Sequence, residues 1–143
     1  MREQTDNESV ESNKNGFTAQ PQTMEAILKR YASLLQVCRA HINSDLQKSP
    51  STAVLASYFQ EGKRFRALLA FVSSSALGIE PTTMIPLAAA LELLHGASLI
   101  HDDIVDEAAE RRSLPALHVR IGIGPALILG DYLILRAFSI LQE

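Results

Sequence analysis

The sequence has little cysteine, no tryptophan and no excess of positive charge. Its 143 residues include one cysteine, Cys38, which cannot form a disulfide within the chain. We therefore expect a reducing compartment, the cytoplasm. Lysine and arginine number 13 against 16 acidic residues, which gives a formal net charge of −3. This balance argues against a protein that binds nucleic acid through a broad basic surface.

Long uninterrupted apolar segments are also absent. The apolar run from Ile85 is broken by Glu92, and the run from Pro125 is broken by Asp131. Each is therefore shorter than the roughly 18–20 residues that span a bilayer. Acidic residues occupy the N-terminus where the apolar core of a signal peptide would lie. We expect a soluble protein without stable membrane insertion.

What the sequence does contain is a succession of helical patterns. Residues 1–23 are polar and without apolar periodicity, and we predict a disordered tail there. Over residues 24–143, apolar residues recur at helical spacing between breaks rich in proline, glycine and serine, which predicts one helical domain. Thr23 is the predicted N-cap of the first helix, and the third helical segment is predicted to run from near Gly62 to Leu77, with Gly78 as its stop. A loop is predicted around residues 113–115. The segment from Thr82 or Thr83 to about Asp106 is apolar on nearly every face and should be central. No alternation typical of strands is visible, so the predicted fold class is all-α.

Three aspartates lie close together where this long helix is predicted to end. Asp102 and Asp106 are four residues apart and share one face of a helix, and Asp103 lies beside them. Like charges at a helix C-terminus repel one another and oppose the helix dipole. Mg²⁺ would remove both conflicts, because it accepts carboxylate ligands and also bridges to phosphate. The alternative is a solvated acidic helix end, but the strongly apolar turn before the aspartates favours a functional site.

Two basic clusters complement the aspartates. Lys63, Arg64 and Arg66 lie within four residues just before an apolar run, and Arg111 and Arg112 follow the aspartates after a short turn. A guanidinium group can donate two parallel hydrogen bonds to phosphate oxygens, and an ammonium group provides a point charge. Either cluster alone would be typical of a solvated surface. Acids for a metal and cations for a diphosphate together favour a binding site.

These motifs, in this order, resemble those of the trans-isoprenyl diphosphate synthases, or polyprenyl synthetases. The matching segments are Gly62-Lys63-Arg64-Phe65-Arg66, Leu94 to Asp106, Arg111-Arg112-Ser113-Leu114-Pro115, His118 and Gly130-Asp131-Tyr132-Leu133. The resemblance implies the N-terminal portion of the isoprenoid synthase helical bundle over residues 24–143. It also implies a Mg²⁺-dependent prenyltransferase, in which an allylic diphosphate ionises and the double bond of isopentenyl diphosphate attacks the carbocation. The product is a longer polyprenyl diphosphate.

The resemblance also implies a role for each candidate residue. The residues expected to hold isopentenyl diphosphate are Lys63, Arg66, His95 and Arg112. The residues expected to act on the allylic diphosphate are the catalytic aspartates Asp102, Asp103 and Asp106, of which Asp102 and Asp106 bind Mg²⁺, together with Arg111. Ala97 and Ser98 precede the first aspartate by five and four residues, where a bulky side chain closes the hydrocarbon pocket in the family. Because both are small, we expect a product longer than farnesyl.

The sequence departs from the family pattern at three positions and lacks one motif. Glu61 replaces a glycine, Ala67 replaces a proline and Ser113 replaces a glycine. No second aspartate-rich motif follows Asp106. We therefore expect a domain truncated before the second aspartate-rich helix, inactive or nearly so by itself, from a family whose full-length members are homodimers.

Three other interpretations remain open. A class I terpene cyclase shares the aspartate-rich motif, but it binds no isopentenyl diphosphate, which would leave Lys63, Arg66 and Arg112 without a role. A metal phosphohydrolase of the His-Asp type is suggested by His95 and by His101-Asp102, but it needs further histidine ligands. A non-catalytic subunit or fragment that pairs with a full-length synthase accounts for the missing second motif.

Overall fold

Most of the chain that the computed structural model describes, residues 23–60 and 62–142, is helical, which confirms the all-α class. The predicted disordered tail lies outside the described residues apart from Thr23. In chain order the elements are α1 (Met24–Arg30), α2 (Ala32–Leu46), α3 (Pro50–Ala53), α4 (Ala56–Gln60), α5 (Phe65–Ala76), a 3₁₀ turn (Pro81–Met84), α6 (Ile85–Val105), β1 (Glu110–Arg111), β2 (Leu114–Pro115), α7 (Leu117–Ile121) and α8 (Ile123–Ile140).

Local sequence signals fix several of the helix ends. Thr23 is the N-cap of α1, and its hydroxyl accepts a hydrogen bond from the backbone N–H of Ala26. Gly78, predicted as the stop after the third helical segment, has a φ of +72° just beyond α5. Both ends were predicted from the residue types alone.

Other boundaries differ from the prediction. The helix predicted from Gly62 begins only at Phe65, because Arg64 adopts a left-handed conformation with φ 52° and ψ 46°. The segment predicted as a loop around residues 113–115 is a small antiparallel hairpin that pairs Glu110 with Pro115. No alternating pattern marks these strands in the sequence, because strands of two residues are too short to show one.

The helix α6 is the centre of the fold, as its apolar character predicted. It packs against α8, α5 and α2. Small residues on α6 allow these neighbours to approach closely; the buried ones are Ala88, Ala89, Ala90, Gly96 and Ala97. The core therefore surrounds a single helix that also carries the aspartates at its C-terminal end.

Two helical segments, Pro81–Val105 and Ile123–Ile140, are long and apolar enough to cross a membrane by length and composition. The argument that Glu92 and Asp131 make both runs too short was therefore wrong. Length and composition are weak evidence, however, because the core helix of a soluble protein has the same properties. The first segment buries Glu92 and Asp103, and each of these carboxylates pairs with an arginine.

At Gly96 the helix α6 lies directly against the Phe59 ring of α4. A Cβ atom at Gly96 would lie 2.4 Å from Cζ of Phe59, and the Phe59 side chain is 1% exposed. The ring cannot swing into solvent to relieve such a contact. Glycine is therefore required here by space rather than by backbone conformation.

We predict that Gly96→Ala lowers the free energy of unfolding by about 1–3 kcal/mol, the usual cost of overpacking a core. Gly124→Ala is the matched control, because a Cβ atom there meets nothing within 4 Å. Chemical denaturation of both variants measures the difference. Equal stability of the two variants would contradict the close packing of Phe59 on α6.

Candidate functional site

A buried ion pair holds the segment between α4 and α5. Arg64 Nη1 lies 3.3 Å from Glu92 Oε2 on α6, and both side chains are 5% exposed. Arg64 also donates through Nη2 to the carbonyl oxygen of Phe59, and Glu92 Oε1 accepts a hydrogen bond of 3.2 Å from the N–H of Ala67. Because an unpaired buried charge costs several kcal/mol, each partner fixes the other.

The inward turn of Arg64 separates the three cations that the sequence places together. Arg64 belongs to the core, whereas Lys63 and Arg66 are exposed on either side of it. The backbone at Gly62 has a φ of +112°, which favours glycine. The segment 62–66 therefore presents two of its three positive charges to solvent.

Four of the predicted substrate-binding residues converge on one cavity of about 170 Å³, beside the segment 62–66 and α6. These four residues are Lys63, Arg66, His95 and Arg112. Arg112 comes from the β1–β2 hairpin, where its Nη1 donates a hydrogen bond of 3.4 Å to the carbonyl oxygen of Tyr58. Residues that are up to 49 positions apart in the sequence thus line a single positively charged pocket.

His95 lies on α6 one turn after Glu92. Partial burial and the positive charges of Arg66, Arg112 and Arg111 lower the pKa of His95 below its ordinary value of 6.5, and Glu92 opposes this. His95 is therefore a neutral imidazole at neutral pH. It can donate one hydrogen bond into the cavity without adding a charge.

The three aspartates are divided by burial. Asp102 and Asp106 are exposed, and Asp106 caps the end of α6. Asp103 is 1% exposed and accepts two hydrogen bonds from Arg111, of 2.7 Å from Nε and 2.6 Å from Nη2. These bonds raise the pKa of Arg111 further above its ordinary value. In this structure Arg111, predicted to contact the allylic diphosphate, is thus bound along one edge to Asp103.

The residues described contain no group of three or more histidine, cysteine or acidic side chains that could hold a metal ion by themselves. All four histidines are among these residues, and none of them belongs to such a group. Asp102 and Asp106 meet a smaller requirement. Mg²⁺ is commonly held by one or two carboxylates, with waters and substrate phosphates completing its octahedron. Two exposed carboxylates one helical turn apart suit that mode of binding.

The two small residues before the aspartates lie in different environments. Ala97 is 1% exposed in the core, whereas Ser98 is exposed on the same face of α6 as Asp102. Ser98 donates a hydrogen bond of 2.9 Å to the carbonyl oxygen of His95. A mostly apolar groove of about 510 Å³ runs from Arg66 between α5 and α6; its lining includes Leu69, Leu77, Met84, Leu87 and Leu91.

Two residues of the site were missed by sequence reasoning. Glu92 was treated only as an interruption of an apolar run, although an acid inside an apolar helix signals a buried partner. Tyr58 was not considered at all. Its hydroxyl contacts Asp103 across 45 positions, and no local pattern points to such a contact.

Comparisons with known proteins identify relatives of this chain. The sequence model of polyprenyl synthetases matches residues 49–143, which is more than half of the chain. The chain is 40% identical over 116 residues to the short chain isoprenyl diphosphate synthase of Methanothermobacter thermautotrophicus, covering 79% of this chain and 35% of that protein. It is 35% identical over 126 residues to the farnesyl diphosphate synthase of Escherichia coli, covering 86% of this chain and 42% of that protein.

Solved structures show the same likeness. A polyprenyl synthase from Caulobacter crescentus, complexed with calcium and isoprenyl diphosphate, superposes with a TM-score of 0.76 at 28% identity, over 83% of this chain and 37% of that one. Geranylgeranyl pyrophosphate synthetase from Pyrococcus horikoshii gives 0.74 at 31% identity, over 83% and 38%. The chain thus spans between about a third and two fifths of the length of these relatives. With this match over residues 49–143, the chain belongs to the polyprenyl synthetase family.

Proposed function

We propose that this chain provides the isopentenyl diphosphate site and one metal-binding wall of a Mg²⁺-dependent trans-prenyltransferase. The reaction is the condensation of isopentenyl diphosphate with an allylic diphosphate to give a longer polyprenyl diphosphate. The observation that carries the proposal is the convergence of Lys63, Arg66, His95 and Arg112 on one cavity.

The chemistry of these side chains suits a diphosphate. Arg66 and Arg112 offer planar pairs of N–H donors, and Lys63 offers a point charge. In the protein without ligand the imidazole of His95 is neutral and does not repel the cations around it, and it can donate to a diphosphate that binds there. The cavity thus combines charge with directed hydrogen bonds, as recognition of a small polyanion requires.

The allylic diphosphate would bind through metal at the other end of this face of α6. Asp102 and Asp106 would hold Mg²⁺, and Asp103 would support them through Arg111. When bound, Mg²⁺ would neutralise charge on the diphosphate leaving group as the carbon–oxygen bond breaks. The divalent calcium in the solved Caulobacter crescentus relative supports a metal-dependent mechanism.

The cation-lined cavity favours a synthase over a terpene cyclase. A cyclase binds one diphosphate, which the aspartates would serve, and Lys63, Arg66 and Arg112 would have no ligand. A second role, as a partner for another synthase chain, is favoured by the small number of carboxylates that could bind metal. Only Asp102 and Asp106 of the aspartate cluster are exposed, and Asp103 is paired with Arg111.

Further features support a homodimer, a cytoplasmic location and a product longer than farnesyl. Apolar side chains on α8 are exposed, with Ile128 at 67% and Leu135 at 70%, which suits a homodimer. A cytoplasmic protein accords with the free, buried thiol of Cys38, whose pKa burial raises to about 12. Ser98 is small and exposed, and we expect it not to block a hydrocarbon chain longer than farnesyl.

We predict that Lys63→Gln weakens binding of isopentenyl diphosphate about tenfold, because a charged hydrogen bond contributes roughly 1.5 kcal/mol or more. Isothermal titration calorimetry on the full chain measures the dissociation constant. Lys29→Gln is the matched control, since Lys29 is exposed on α1 away from the cavity. Equal dissociation constants for the two variants would contradict the assignment.

We predict that Mg²⁺ strengthens binding of farnesyl diphosphate and that the double variant Asp102→Asn, Asp106→Asn loses this enhancement. Titrations in Mg²⁺ and in EDTA measure it. Glu107→Gln, which removes a neighbouring exposed charge, should retain the enhancement. An undiminished Mg²⁺ effect in the double variant would rule out Asp102 and Asp106 as ligands.

We predict that isopentenyl diphosphate binding takes up a proton at His95. The pKa of His95 is lowered in the free protein, and a bound anion raises it, so affinity should increase as pH falls through the ordinary histidine value of 6.5. Calorimetry in two buffers of different ionisation enthalpy counts the protons taken up. His95→Gln removes this contribution, while the titration of the ligand itself is common to both proteins. Identical proton uptake in the two would refute the prediction.

A further inference from the structure

Tyr58 on α4 joins three segments that are distant in sequence. Its hydroxyl accepts a hydrogen bond of 2.9 Å from the backbone N–H of Leu117, at the start of α7. The same hydroxyl donates to Asp103 Oδ2 at 3.4 Å, at the end of α6. Its carbonyl oxygen accepts the bond from Arg112 in the hairpin. Half-buried Tyr58 thus contacts both Asp103 of the aspartate cluster and Arg112 of the hairpin.

The hydroxyl of Tyr58 both accepts and donates a hydrogen bond. The N–H of Leu117 occupies a lone pair, which leaves the single hydroxyl hydrogen available to Asp103. Burial and the negative charge of Asp103 raise the pKa of Tyr58, so the hydroxyl keeps this hydrogen. Phenylalanine could fill the same space but could make neither bond.

Asp103 in turn fixes Arg111 along one edge. The carboxylate receives Arg111 Nε and Nη2, while Arg111 Nη1 makes no hydrogen bond within residues 23–60 and 62–142. An arginine held in this way keeps one donor group for a further anion and has already lost its conformational freedom. The orientation of Arg111 therefore depends on the orientation of Asp103.

We propose that Tyr58 is a positioning residue for the diphosphate site, acting through the chain Tyr58–Asp103–Arg111. Its hydroxyl donates to Oδ2, the same oxygen that accepts from Arg111 Nε, and so adds a second direction of restraint to a carboxylate that Arg111 otherwise holds alone. The carboxylate and the guanidinium thereby keep one relative orientation. The inference rests on the proposed function insofar as Arg111 receives a diphosphate. The positioning itself is a property of the chain without ligand.

The first test measures pyrophosphate binding to the full chain by calorimetry. Tyr58→Phe should weaken binding about three- to tenfold, the effect of one hydrogen bond to a charged network. In an Arg111→Lys background the same change should cost nothing more, because the effect passes through Arg111. Tyr132→Phe is the matched control, since the Tyr132 hydroxyl makes no hydrogen bond in the part of the chain that the structure describes. Equal losses in both backgrounds would identify a general structural defect and overturn the proposal.

The second test needs no ligand. In nitrogen-15 NMR spectra, the Nε–H of Arg111 should exchange slowly with water, because it is bonded to a buried carboxylate. Tyr58→Phe should accelerate this exchange several-fold, whereas Tyr132→Phe should leave it unchanged. Unchanged exchange in Tyr58→Phe would overturn the proposal. Accelerated exchange in a chain whose wild type binds no pyrophosphate would support the positioning and overturn the proposed function instead.

Discussion

The buried ion pair between Arg64 and Glu92 is the interaction on which the rest of the site depends. Arg64 makes this pair from a left-handed backbone conformation, and Lys63 and Arg66 on either side of it are exposed to solvent. Glu92 also receives the N–H of Ala67, so the same carboxylate anchors the start of α5. His95 follows Glu92 by one turn of α6 and faces the cavity beside these cations. Loss of either charge would leave its partner buried and unpaired.

A second buried pair repeats this arrangement at the aspartates. Asp103 and Arg111 neutralise each other, while Asp102 and Asp106 keep their charges exposed. In each charged cluster one member thus stabilises the fold and its neighbours remain available to a ligand. Residues of the same type have different roles here, because a buried charge must be paired with an opposite charge and an exposed one need not be.

Close packing around α6 explains residues that carry no charge. Gly96 accommodates the Phe59 ring, and a Cβ atom at Gly130 on α8 would lie 2.2 Å from Nε2 of His101. The glycine of the Gly130-Asp131 pair therefore allows α8 to approach the helix that bears the aspartates. These contacts pack the neighbouring helices on α6, which carries both His95 and the aspartates, and the proposed reaction needs both diphosphates held at a fixed separation.

The sequence by itself determined the helical class, the cap at Thr23, the central helix and the order of motifs that indicates the family. These features are encoded within one or two helical turns or in the spacing of neighbouring residues. Only the tertiary structure decided that Arg64 and Asp103 are buried while Lys63, Arg66, Asp102 and Asp106 are exposed. Arg64 pairs with Glu92, which is 28 positions away in the sequence, and Tyr58 donates to Asp103, which is 45 positions away. Such pairings depend on how helices pack, because the cost of burying a charge arises only once the core has formed around it.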